Sequence, residues 1–174
     1  MEREAVVVLG MHRSGTSTTA GMFAQLGYKV GKSIMEGNET NPKGFFENFR
    51  LMFFNEALLH HNKVNWHNTV TLPENWWKAQ TLAPLKAQLK TLISEEFGDE
   101  RKLLFKDPRL CILLPFYLDV FKEMDIVPRF LITMRNVSDI VLSLERRDHF
   151  PKIKSTRIWM DHMLKSLFHT RGFP

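Results

Sequence analysis

The chain has 174 residues, 44% of them hydrophobic, with a single cysteine and a formal charge of +5. That length suits one domain with its own apolar core, and the lone Cys111 excludes an internal disulfide framework and any multi-cysteine metal site. No apolar run approaches the roughly 18 residues of a membrane-spanning helix, and the opening Met1-Glu2-Arg3-Glu4 has no signal-peptide character, so a reducing, cytoplasmic setting is expected.

Ala5 to Leu9 is a β-branched run that reads as a buried strand. Gly10 to Ser17 forms a glycine-containing loop, and Thr18 to Leu26 has the spacing of a helix. Residues 28 to 46 are rich in Gly, Asn, Pro and Lys and predict an irregular segment able to cover a site. Helices are predicted over Glu47 to Asn62 and Lys78 to Phe97, with three tryptophans between them. A strand at Leu103 to Phe105 precedes Lys106-Asp107-Pro108-Arg109 and an apolar helix from Leu110, in which Cys111 reads as a buried thiol. Asp107 and Pro108 read as N-cap and first helical position, with Asp107 also placed to orient Arg109. A strand at Arg129 to Met134 is followed by Arg135-Asn136 and a helix through about Arg146; a last helix holds Trp159, Met160, Met163, Leu164 and Leu167. Strands alternating with helices predict an α/β domain, a parallel sheet with helices on both faces. Ligands in such folds sit at the carboxyl ends of the strands, where the three polar clusters fall.

The basic residues are scattered, and clusters such as Arg146-Arg147 are short. This favours a small polyanion over nucleic acid as partner. The loop Gly10-Met11-His12-Arg13-Ser14-Gly15-Thr16-Ser17 has the glycine spacing of a nucleotide P-loop, with Ser17 at its Ser/Thr position. Thr16 stands where that motif has lysine, and Arg13 supplies a positive charge inside the loop instead. Backbone N–H groups and the following helix N-terminus suit an oxyanion, which Arg13 can grip with two hydrogen bonds. A tight turn whose glycines serve geometry alone is the plainer reading.

This loop resembles the 5′-phosphosulfate loop of the sulfotransferase superfamily in its arginine-bearing version, and the chain resembles the compact bacterial members. The resemblance implies a P-loop-NTPase-like three-layer sandwich with a central parallel sheet, one domain spanning 1–174. The family's C-terminal strand and helix are expected to be missing. It implies 3′-phosphoadenosine 5′-phosphosulfate (PAPS) as donor, adenosine 3′,5′-bisphosphate (PAP) as product and no metal. His12, Arg13, Ser14, Gly15, Thr16 and Ser17 fall on the donor loop. Arg135-Asn136-x-x-Asp139-x-x-x-Ser143 is similar to the family's 3′-phosphate element, with Arg135 and Ser143 on its ligand positions. Ser143 would sit roughly 9 Å along a helix starting near Val137, at about 1.5 Å per residue. Otherwise Asn136 or Ser138 simply caps that helix and Arg135 is solvated.

Sulfuryl transfer to an alcohol needs a base for the acceptor proton and cations at the leaving phosphate. Cytosolic sulfotransferases carry a Lys-Thr-His type motif after the middle strand. Here Lys106 is kept but Pro108 occupies the histidine position, which points to the glutamate-based branch. Asn41-Pro42-Lys43-Gly44-Phe45-Phe46-Glu47 looks like the segment carrying that glutamate. Glu47 is thus the expected base, with Glu36, His60 and His61 behind it; a first-turn carboxylate favoured by the helix dipole is the plainer role. Lys106 is expected at the bridging oxygen with Arg13, or is a surface lysine. Trp66, Trp76, Trp77 and His67 serve either the core or a pocket for a small-molecule, carbohydrate or lipid acceptor. A non-catalytic donor-binding domain and a P-loop small-molecule kinase are the competing functions.

Overall fold

The computed structural model describes residues 2–37, 41, 44–68 and 71–173. Three parallel strands form the sheet among them: β1 (Arg3–Leu9), β2 (Lys102–Lys106) and β3 (Ile126–Ile132), in the order β2-β1-β3. The β-branched run of β1 takes the centre, where Val6 lies opposite Leu104 on one side and Arg129 on the other. Alternate side chains leave for opposite faces. Val6, Val8 and Leu104 pack against Ala20 of α1 (Thr16–Gln25) and Val30. Ala5, Val7, Leu9, Leu103 and Phe105 enter the larger core beneath α2 (Phe49–His61), α3 (Ala83–Phe97) and α4 (Leu110–Glu123). Every residue of α4 from Leu110 to Tyr117 is buried, which accounts for its uninterrupted apolar sequence. Two further helices follow β3, α5 (Val137–Asp148) and α6 (Lys152–Thr170). The α/β class and the parallel sheet flanked by helices are as expected. No helix among the described residues is long and apolar enough to cross a membrane.

Several boundaries differ from the sequence reading. Helix α1 begins at Thr16, inside the expected loop, because Gly15 (φ +93) turns the chain into the helix. Helix α2 begins at Phe49, where Asn48 accepts a hydrogen bond from Leu51 N–H at 3.1 Å. Glu47 therefore lies before the helix rather than in its first turn. The expected helix from Lys78 is broken by extended Ala79 (ψ 132) between two 3-10 turns, and α3 starts at Ala83 with Pro84 in its first turn. A proline is tolerated there because first-turn N–H groups need no intrahelical acceptor. Strand β3 starts earlier, at Ile126, and ends before Met134. No N-cap forms at Asp107; it closes a turn before α4, accepting from Arg109 N–H at 2.9 Å.

Helix α6 is turned against its composition. Ser155, His162 and Ser166 are fully buried, while Ile153, Met160, Leu164 and Leu167 are exposed. Ser166 Oγ donates to the His162 carbonyl at 2.7 Å. Ser155 Oγ, Trp159 Nε1 and His162 Nε2 have no hydrogen-bond partner among the described residues.

Candidate anion-binding site

The loop from β1 to α1 is set by two glycines. Gly10 has φ +146, and a Cβ there would lie 2.2 Å from Thr133 Oγ1 and 2.8 Å from Ser14 Oγ. No other residue fits without displacing the end of β3. Gly15 heads α1 without a side-chain cap, and no acidic residue occupies the first turn. The first-turn N–H groups of a helix have no intrahelical acceptors, so this terminus offers donors and a positive dipole end.

A cavity of about 270 Å³ opens over that terminus. The loop contributes His12, Arg13, Gly15, Thr16 and Ser17, and the stretch before α2 contributes Asn41, Phe45 and Glu47. Lys106 and Pro108 come from the end of β2, Arg135 from the end of β3 and Arg147 from the end of α5. Four cationic side chains thus face one carboxylate.

That carboxylate is committed. Glu47 and Lys106 form a short ion pair whose side chains are only 9% and 3% exposed, and Lys106 Nζ also donates to Ser17 Oγ at 3.3 Å. Burial, with Asp107 next, raises the Glu47 carboxyl above its ordinary pKa, against the opposing pull of Lys106 and Arg109. Beneath the pair lies a buried network. Asp107 accepts from Asn55 and from Arg109 Nη1, both at 2.9 Å, and Tyr117 Oη donates to Asn55 at 2.7 Å. Arg109 also pairs with Glu56. Burial works against the Arg109 charge, but the two carboxylates more than offset it and raise its pKa. Asp107 thus orients Arg109, as its spacing suggested.

The other side of the cavity brings the two predicted phosphate elements together. Arg13 Nε donates to Ser143 Oγ at 2.8 Å, and Arg135 Nη1 donates to the Arg13 carbonyl at 3.3 Å. Asn136 also caps α5, accepting from Ser138 N–H. The capping role and the cavity role of this segment are therefore compatible, since they use different side chains.

His12 packs against Trp66, ring centroids 4.4 Å apart and planes tilted by 57°. Burial, followed by the charges of Arg147 and Arg109, pushes its pKa well below the usual histidine value, so the ring is neutral at pH 7. Its Nε2 has no hydrogen-bond partner among the described residues.

Of the sequence-predicted residues, His12, Arg13, Gly15, Thr16, Ser17, Glu47, Lys106 and Arg135 line the cavity. Ser143 joins through Arg13. Ser14 does not: its hydroxyl turns inward to the Met11 carbonyl at 2.6 Å and to Thr133 Oγ1 at 2.8 Å. It holds the loop to β3 rather than lining the cavity. Glu36 is exposed and outside the cavity, and His60 and His61 line a separate hollow with Glu56. Trp76 stacks on Phe116 in the core, whereas Trp66 stands beside the site. Pro42 and Lys43 of the glutamate segment lie outside the described residues. Sequence reasoning missed Arg147, although its place four residues after Ser143 puts both on one helical face. Among the described residues, no group of three or more His, Cys, Asp or Glu side chains is placed to hold a metal ion. No family model matches the chain, and no curated protein or solved structure is found to be similar to it.

Proposed function

We propose that the protein is a sulfotransferase of P-loop-like fold that moves a sulfuryl group from 3′-phosphoadenosine 5′-phosphosulfate to a hydroxyl or amine. One observation carries this reading. Arg13, Lys106, Arg135 and the buried Glu47, from four separate segments, meet in a single cavity over the N-terminus of α1. Arg13 and Arg135 form one cationic side with Ser143, and Lys106 forms the other with Ser17 and Glu47. The α1 loop with Lys106, and Arg135 with Ser143, offer two anion-binding elements joined through Arg13, which suits a nucleotide phosphorylated at both its 5′ and 3′ positions.

In this reading the α1 terminus and Arg13 hold the phosphosulfate. The acceptor hydroxyl gives its proton to the Glu47 carboxylate as its oxygen bonds to sulfur. The bond from sulfur to the bridging oxygen breaks, and its electron pair stays with the nucleotide phosphate. Lys106 stabilises that developing charge. Burial makes Glu47 more basic than a solvated carboxylate, which suits a general base.

The mutual pairing of Glu47 and Lys106 favours a second reading, a domain that binds the donor without turnover. The spacing of Gly10 and Gly15 keeps a small-molecule kinase as a third. Calorimetry with adenosine 3′,5′-bisphosphate, AMP and ATP–magnesium tests the binding. Preference for the bisphosphate is expected, and tighter ATP–magnesium binding would replace the reading with the kinase. Labelled donor offered with phenols, sugars and lipid alcohols separates transferase from binding domain.

A further inference from the structure

Arg147, in the last turn of α5, lines the cavity. A surface arginine beside an aspartate is ordinarily worth little, but three features set this one apart. It lines the same cavity as Arg13 and Arg135. Its Nε and Nη2 both lie 2.9 Å from Asp148 Oδ2, so one edge of the guanidinium is fixed. Its guanidinium carbon lies over Trp66, 5.7 Å from the ring centroid, and that ring packs in turn against His12 of the loop. A guanidinium has five N–H donors. The pair on Nη1 has no acceptor among the described residues, whereas Asp148 and Trp66 already orient the group.

We propose that Arg147 is a third arm of the anion site, binding the phosphate that Arg135 and Ser143 receive, with Trp66 and Asp148 as its positioning residues. Ser143 and Arg147 are one turn apart on α5, which brings side chains onto one face about 5–6 Å apart at Cβ. A second guanidinium on a dianionic phosphate adds charge-assisted hydrogen bonds that a monophosphate at the 5′ end alone cannot use. Arg147 therefore sets preference for a nucleotide with the second phosphate. The inference rests on the reading of the cavity as a nucleotide 3′,5′-bisphosphate site.

The test is calorimetry on the full chain with adenosine 3′,5′-bisphosphate and with AMP. The variants are Arg147→Ala, Arg147→Lys and Arg146→Ala, the last an exposed neighbour outside the cavity. Arg147→Ala is expected to weaken bisphosphate binding about 10- to 100-fold, the range for hydrogen bonds to charged groups, and AMP binding by less than about 3-fold. Arg147→Lys keeps the charge but loses the fork, and should recover only part of the loss. Trp66→Phe should retain most of the affinity, since the aromatic face remains. Arg146→Ala should change neither. Equal losses for Arg146→Ala and Arg147→Ala would reduce the effect to net charge and overturn the assignment. So would bisphosphate binding that Arg147→Ala leaves intact, with the cavity reading untouched. An unaltered protein that binds no bisphosphate would overturn both together.

Discussion

Removing the lysine of the buried pair is the most direct test of the site's physics. Lys106→Met keeps the length and apolar stem of the side chain but strands the Glu47 carboxylate, whose side chain is 9% exposed. Breaking a buried pair by deleting one partner costs about 3–5 kcal/mol, because the remaining charge is desolvated and unpaired. For a domain of this size that corresponds to a fall in Tm of about 6–20 °C. The cost depends on pH with a definite sign. Burial and Asp107 already raise the Glu47 pKa, and Lys106 opposes them. Without Lys106 it rises further, so the folded state holds a proton that the unfolded state releases. Stability then falls as pH climbs from the unfolded carboxylate value of about 4.3 through the raised folded value, and is flat above it. Urea melts of Lys106→Met should therefore show the full loss at pH 8 and a smaller one at pH 5. Adding Glu47→Leu should restore most of the stability, since an apolar pair of similar size removes the stranded charge. A loss under about 1 kcal/mol, equal at both pH values, is what an exposed pair would give and would refute the buried geometry.

Arg135→Ala should narrow the difference in thermal stabilisation between adenosine 3′,5′-bisphosphate and AMP, because ligand stabilisation follows affinity for the native state; an unchanged difference would remove Arg135 from the site. Glu47→Gln should keep donor binding and lower turnover by about 10² to 10⁴, the span of general-base catalysis, whereas Arg13→Ala should weaken binding and turnover together. Single-turnover kinetics distinguish the two patterns. Gly10→Ala should lower Tm strongly or abolish folding, since its Cβ would meet Thr133 Oγ1 at 2.2 Å; circular dichroism melting checks this, and an unchanged Tm would mean that the loop is misplaced.

Much of this arrangement is written in local pattern. The run Ala5–Leu9 can only be a buried strand, and Gly10 and Gly15 mark the turn that follows. Arg135 and Ser143 are singled out by resemblance to a family element, with helical spacing that allows both to reach one phosphate. What local pattern lacks is the direction of a side chain set by a partner distant in sequence. Ser14 reads as a phosphate ligand until Thr133, 119 residues away, draws its hydroxyl inward. Glu47 reads as a first-turn carboxylate until Asn48 caps α2 behind it. Helix α6 is the extreme case. Of its apolar residues Ile158 and Met163 are buried, yet Met160, Leu164 and Leu167 are exposed while Ser155 and His162 are buried. Its orientation follows from contact with α4 and α5, which no helical period encodes.

Several costs within the fold gather around the cavity. Of the non-glycine residues with positive φ, Lys63, Asp125 and His149 stand just past the ends of α2, α4 and α5, where the left-handed conformation closes a helix. Asn75 (φ 57) opens the 3-10 turn at Trp76–Lys78, whereas Arg13 (φ 70) and Phe46 (φ 53) neither open nor close a helix. One sits in the loop before α1 and the other next to Glu47. A non-glycine residue held in that region costs about 1–3 kcal/mol. Beside them are a buried ion pair, which is weak evidence for stability, and the His12 ring nitrogen, without a partner among the described residues. None of these four features helps the chain fold, and apolar or unstrained replacements are available for each. Arg13, His12 and the Glu47–Lys106 pair line the same cavity, and Phe46 is the chain neighbour of Glu47. Three further unmatched atoms lie in α6; what singles out the cavity is strain, buried charge and an unmatched polar atom together, a combination expected at functional sites.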